Sequence, residues 1–138
     1  MPSPLPDEDY GSLAEFRFNI RRFLEFSHQA VTDAGLTPQQ HQALLGIKGL
    51  SLKGPVVIRT LADWLQLQHH SVIGLLDRLE VRGLVKRQRD PEDRRRVAIR
   101  LTRPGETVLA ELSRAHRAEL RAAGPALVNT LTQLLAER

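Results

Sequence analysis

Two clusters of side chains in this sequence have the chemistry to hold a polyanion. The first is His69, His70, Ser71, Gly74 and Arg78. Histidine, serine and arginine hydrogen-bond base edges or phosphates, and glycine lets a backbone approach a phosphate strand closely. The second is Arg94-Arg95-Arg96, directly after Asp90-Pro91-Glu92-Asp93. An arginine at the tip of a turn suits a narrow minor groove, where negative potential is concentrated. Asp93 is out of place there, because phosphates repel a carboxylate. Pairing with an arginine of the protein, with Arg78 as the candidate, would let Asp93 anchor the turn at a fixed angle.

Other chemistries fit less well. Adjacent helical residues point about 100° apart, so His69 and His70 converge poorly on a metal ion or a substrate. His28, His41 and His116 could supply zinc ligands, but no close motif joins them. No activated nucleophile, phosphate loop or metal constellation supports an enzyme. The chain has no cysteine, which excludes disulfides and thiol redox switches. The residues give no reason to expect a cofactor.

The elements that must position the two clusters follow from periodicity. Thr60 to Leu65 reads as a short helix, with Thr60 as N-cap and Asp63 as an acidic third position. A break follows over Gln66 to His69. His70 to Arg82 reads as a second helix, with Val72, Leu75, Leu76 and Leu79 on its buried side. Gly83 stops it. Leu84–Arg89 and Arg94–Leu101 then alternate around the Asp-Pro turn, which predicts a hairpin. Helix, turn, helix and basic hairpin form the pattern of a winged helix-turn-helix, a module that lays its second helix in the DNA major groove.

Charge supports the same assignment. From Arg78 to Arg103 ten basic residues face four acidic ones, a window of +6 in a chain of net +4, so the remainder carries −2. A concentrated basic surface on an otherwise slightly acidic chain is the footprint of a polyanion binder. A merely solvated charged face is the alternative. The coincidence of the run with the hairpin favours nucleic acid.

The rest of the chain reads as support. Residues 1–9 are Pro-rich and acidic and read as a flexible arm, without the basic start and apolar core of a signal peptide. No run approaches the roughly 18 apolar residues of a membrane span, so a cytoplasmic protein without a membrane partner is expected. From Gly11 to Ala34, Leu13, Phe16, Ile20, Phe23, Leu24 and Val31 mark an amphipathic helix, while Phe18 and Phe26 widen its apolar surface. Thr37, Pro38 and Gln40 form a helix start with a capping box. That helix carries Ala43, Leu44, Leu45 and Ile47 and is closed by Gly49. Pro55–Ile58 reads as a short strand beside the hairpin. Thr102 caps a helix through Leu120, Gly124-Pro125 reads as a break, and Leu127, Val128, Leu131, Leu134 and Leu135 form a last helix. The terminal apolar surface exceeds what one small core can cover, which points to a symmetric homodimer. The expected fold is mainly α with a small β-hairpin wing. It is one domain over 1–138: a winged helix-turn-helix core at 36–102, flanked by dimerisation helices at 10–35 and 103–138.

Residues 36–112 resemble the MarR (multiple antibiotic resistance regulator) family of winged-helix transcription factors. The match runs through Leu36-Thr37-x-x-Gln40 and Leu61-Ala62, then Val72-x-x-Leu75-x-Asp77-Arg78-Leu79-Glu80-x-x-Gly83-Leu84-Val85. It continues with Asp90-Pro91-x-Asp93-Arg94-Arg95 and Leu101-Thr102-x-x-Gly105. The resemblance implies a homodimeric regulator, usually a repressor, on pseudo-palindromic double-stranded DNA. It implies Arg95 as the minor-groove residue and residues 69–78 as the major-groove reader. Gln66 stands where the family often has glycine, Gln68 where it often has a serine cap, and His69-His70 where an Arg-Ser type pair is usual. Family members are often released from DNA by small aromatic effectors bound between the dimer helices and the DNA-binding core. Phe26, His28, His41 and Trp64 are the candidates here by chemistry and approximate place, against the alternative that they are ordinary core or surface residues. An architectural, weakly specific DNA binder and a protein-interaction module are the competing functions.

Overall fold

A computed structural model describes residues 3–136 of the chain. The first two positions of the expected arm, and residues 137–138 at the end of the expected domain, lie outside the described residues. The elements are α1 (Asp7–Asp33), α2 (Pro38–Ser51), α3 (Ile58–Leu65), α4 (His69–Val81), β1 (Val85–Arg89), β2 (Val97–Leu101) and α5 (Arg103–Leu135). The chain is mainly helical with one antiparallel hairpin, as the sequence predicts. It divides into two compact units, one of Val31–Leu112 and one holding both chain ends.

The Val31–Leu112 unit is built from well-marked starts and stops. The Thr37 hydroxyl accepts from the Gln40 amide at 3.1 Å, and the Gln40 side chain accepts from the Thr37 amide at 3.0 Å. This is the capping box read from the sequence, with Pro38 in the first helical position. Gly35 and Gly83 have φ of 80° and 71° and end α1 and α4 in the left-handed region that favours glycine. Gly49 does not close α2. The helix continues to Ser51, because Gly49 is not among the glycines at positive φ and behaves as an ordinary helical residue.

Three further expectations are corrected here. Helix α3 begins at Ile58, not Thr60, with Val57 as its N-cap. Thr60 sits in the first turn, where its hydroxyl accepts from the Val57 amide at 3.2 Å. Taking Ile58 into the helix leaves no strand over Pro55–Ile58. One ladder bond remains, from the Ile99 amide to the Val56 carbonyl at 2.8 Å. Helix α4 begins at His69, one residue early, because Gln68 is its N-cap.

The turn between α3 and α4 explains one departure from the family pattern. Gln66 holds φ 57° and ψ 42°, the left-handed conformation that glycine adopts without strain. Val72, Leu75, Leu76 and Leu79 of α4 are buried as expected, together with Leu44, Ile47, Leu61, Val85 and Ile99. The hairpin register pairs Val85 with Leu101, Arg87 with Ile99 and Arg89 with Val97. Thr102 caps α5 through its hydroxyl, which accepts from the Gly105 amide at 3.1 Å. The Thr102 amide donates to the Leu84 carbonyl at 3.1 Å. Gly105 packs so closely there that a Cβ would lie 2.1 Å from the Leu84 oxygen.

In the other unit the two chain ends run side by side. Ser12 donates to Gln133 at 3.0 Å, and Ser27 meets His116 at 2.7 Å. Helix α1 starts at Asp7, so the arm is shorter than residues 1–9. Asp7, Glu8 and Asp9 in its first turn complement the positive helix end. Gly124-Pro125 is not a break: α5 is one helix with Pro125 inside it. Proline cannot donate to the carbonyl four residues back, yet α5 runs through Pro125. Leu13, Phe18, Leu24, Leu120, Val128, Leu131 and Leu135 remain exposed along these helices.

Candidate nucleic-acid interface

The candidate recognition surface is the face of α4 opposite its leucines. Four core positions fix the helix roll, so His69, His70, Ser71 and Arg78 are exposed and Gly74 is half-exposed. Gly74 and Arg78 form one patch. A Cβ at position 74 would stand 3.6 Å from the Arg78 guanidinium, so that cation lies back over the bare glycine. The face offers two imidazoles, one hydroxyl and one guanidinium along nearly three helical turns.

The second cationic group is the loop joining β1 and β2. The Asp90 amide donates to the Arg96 carbonyl at 2.9 Å, and Arg89 donates to the Arg94 carbonyl at 3.1 Å. These bonds close the loop and leave the side chains of Arg94, Arg95 and Arg96 exposed. The Arg95 side chain is 96% exposed and projects from the tip.

Asp93 pairs differently from the expectation. Its carboxylate accepts from the Arg95 amide at 3.1 Å and stands 3.6 Å from the Arg95 Nε. Arg78 is not its partner. A two-residue reach within the turn is shorter than any reach to α4, so Asp93 shapes the loop locally.

The connection between hairpin and recognition helix is made by Arg87, which sequence reasoning missed. Its guanidinium bonds Asp77 and, at 2.7 Å, Glu80. The hydrogen bond to Asp77, then that to Glu80, holds its pKa above the ordinary arginine value. Two signals for this clamp are present in the sequence. Carboxylates three apart share a helical face, and Arg87 shares the inward face of β1 with Val85. Their meeting depends on how the hairpin folds back, which spacing alone does not give. Arg87 is thus spent on the fold, and the basic window is less available to a ligand than its count implies. Arg87→Gln is expected to lower unfolding stability by about 0.5–1 kcal/mol, the range of a partly exposed pair, and to weaken DNA binding through the displaced wing. Urea denaturation and anisotropy titration on the same sample check both.

The effector candidates divide between the two units. Phe26 meets His116 edge-on with ring centroids 5.8 Å apart, and His28 is exposed on α1. In the other unit His41 is buried on α2. Trp64 lies across Gly46, where a Cβ would come within 2.6 Å of the indole.

Comparison with known proteins agrees with this architecture. A sequence profile of the MarR family matches residues 34–96. A protein of Thauera aromatica, named for transcriptional regulation of the hcr operon, is 31% identical over 120 residues, 82% of this chain and 70% of its own length. The structure of a MarR family protein from Bacillus stearothermophilus is similar with a TM-score of 0.70 and 25% identity, over 85% of this chain and 80% of that one. A substituted MepR of S. aureus, bound to an oligodeoxyribonucleotide, shares the fold with a TM-score of 0.66 and 23% identity, over 93% of this chain and 85% of its own. With the helix-turn-helix, the arginine-tipped hairpin and the clamp between them, these likenesses settle the family: this chain belongs to the MarR family of winged-helix transcriptional regulators.

Proposed function

We propose that this regulator is a sequence-specific repressor that acts as a homodimer on a pseudo-palindromic operator in double-stranded DNA and is released by a small aromatic effector. The observation that carries the DNA reading is the fixed pairing of the exposed α4 face with the arginine tip. His69, His70, Ser71, Gly74 and Arg78 serve the major groove, Arg95 enters the minor groove, and Arg94 and Arg96 hold phosphates. A MepR structure with DNA bound supports the same use of the fold. Among the described residues no helix is long and apolar enough to cross a membrane.

Exposed apolar side chains on α1 and α5 support the homodimer, since a second copy would cover them. Val128 is 63% exposed and Leu131 41% exposed, so Val128→Glu with Leu131→Glu leaves the protomer's own packing intact. The pair is expected to convert a dimer into a folded monomer, read by sedimentation equilibrium beside circular dichroism. An unaltered dimer would move the interface elsewhere. The effector reading is supported by the family resemblance and by the half-exposed Trp64, the only tryptophan in the chain. A saturable change of its fluorescence with phenolic compounds, matched by loss of DNA binding, is the expected result.

The central test is binding of the full chain to the DNA flanking its own gene, against random DNA, at two salt concentrations. A preference of at least about a thousandfold marks a specific regulator. Equal, salt-sensitive binding to both would replace the repressor with an architectural role.

A further inference from the structure

The two ends of α4 are fastened differently. At the reading end Gln68, the N-cap, makes no side-chain capping bond. At the far end stands Arg82, the C-cap, whose side chain belongs neither to the recognition face nor to the Arg87 clamp. Its Nη1 donates to the Gly35 carbonyl, 47 residues back in the chain, and reaches the Gln40 side-chain oxygen at 3.5 Å. One guanidinium nitrogen carries two N–H groups and so serves both acceptors.

Three separate features meet at this joint. Gly35 has φ of 80° and no side chain, and a Cβ there would stand 3.5 Å from the Arg82 guanidinium. Gln40 is buried, and the oxygen that Arg82 reaches is the one that accepts from the Thr37 amide in the capping box. The start of α2 and the end of α4 therefore share an acceptor.

The length of α4 turns this joint into a lever. Its 13 residues span about 20 Å at about 1.5 Å per residue, so a tilt of about 3° from the Arg82 end moves His69 by about 1 Å. Good hydrogen bonds occupy a window of only about 0.5 Å. A base-edge contact cannot absorb such a shift, whereas a long, exposed arginine follows a phosphate and carries no sequence information. We propose that Arg82 is a specificity-determining positioning residue. By fastening the end of α4 to the joint between α1 and α2, it sets the tilt at which His69, His70 and Ser71 meet the bases. The proposal rests on the DNA-binding reading above.

The test compares the full chain with Arg82→Ala and Arg82→Lys, by anisotropy titration on the DNA flanking its own gene and on random DNA, across a salt series. For Arg82→Ala, affinity for the flanking DNA is expected to fall about tenfold, as when one base contact in each half-site is weakened. Affinity for random DNA should stay within about twofold, because its contacts are to phosphates. The slope of log affinity against log salt should not change, since no phosphate contact is lost. Arg82→Lys keeps a donor for the Gly35 carbonyl and should restore most of the preference. The same fold-change on both DNAs would mean a loss of folded protein only and overturns the proposal. A shallower salt slope would make Arg82 a phosphate contact and overturns it too, as does an unchanged preference in Arg82→Ala. If circular dichroism shows Arg82→Ala unfolded, Arg82→Gln, whose side chain falls short of Gly35, carries the same comparison. A parent protein without preference for the flanking DNA removes the repressor reading itself, and with it the reader that Arg82 positions.

Discussion

Arg95→Ala is expected to reduce operator affinity by about thirtyfold or more while the protein stays folded. A contact to a base edge or a narrow groove contributes about 1–3 kcal/mol, and a homodimer would lose two, one per wing. The fold should not respond, because the Arg95 side chain is 96% exposed and its ion partner is Asp93 at 3.6 Å. The backbone of the loop is held by the Asp90–Arg96 and Asp93–Arg95 bonds, which alanine keeps. Anisotropy titration at fixed salt measures the loss, and thermal unfolding checks the fold. Unaltered binding would remove the wing tip from the mechanism and leave α4 to carry recognition alone.

Gly105→Ala is expected to produce the largest loss of stability of any single methyl added to this chain. Its Cβ would stand 2.1 Å from the Leu84 carbonyl oxygen and 3.0 Å from the carbonyl carbon. Both are backbone atoms, so no side chain can swing aside. That same carbonyl accepts from Thr102, hence the start of α5 and the entry to β1 must separate together. Overpacking ordinarily costs about 1–3 kcal/mol, and a backbone obstacle places this case at or beyond the upper end. Gly49→Ala is the control. A Cβ there meets nothing within 4 Å, and alanine in a helix interior gains up to about 1 kcal/mol. Urea midpoints for the two variants should move in opposite directions. Equal midpoints would mean that α5 shifts freely at its start.

Gly105 also shows what was legible in advance. It appears in the sequence as the last member of the Leu101-Thr102-x-x-Gly105 motif, and the structure supplies the reason for it, a close approach of two backbones. The leucine side of α4, the Thr37 capping box and the Asp-Pro hairpin were readable because each is local. They depend on side chains within a few residues and on one period. Errors arose where two local readings competed. Thr60 with Asp63 imitates a helix start, but Val57 takes that place and Thr60 caps from inside. Proline ordinarily interrupts a helix, yet α5 runs through Pro125 as one helix. The Asp77–Glu80–Arg87 clamp was not legible. It joins segments whose meeting is decided by packing, and Asp93, a carboxylate of the turn itself, drew the anchoring role away from Arg87.

The clamp has a consequence for how fast and at what entropic cost this protein can dock. A hairpin free to swing would have to be ordered at the moment of contact, with a loss of freedom set against every favourable interaction. Here Arg87 joins β1 to α4 before any DNA is present. The freezing of the reader belongs to folding, not to association. Encounter then needs one orientation of a hairpin and helix already joined, guided by the field of the exposed arginines, and the lifetime of the complex is left to set the strength of binding.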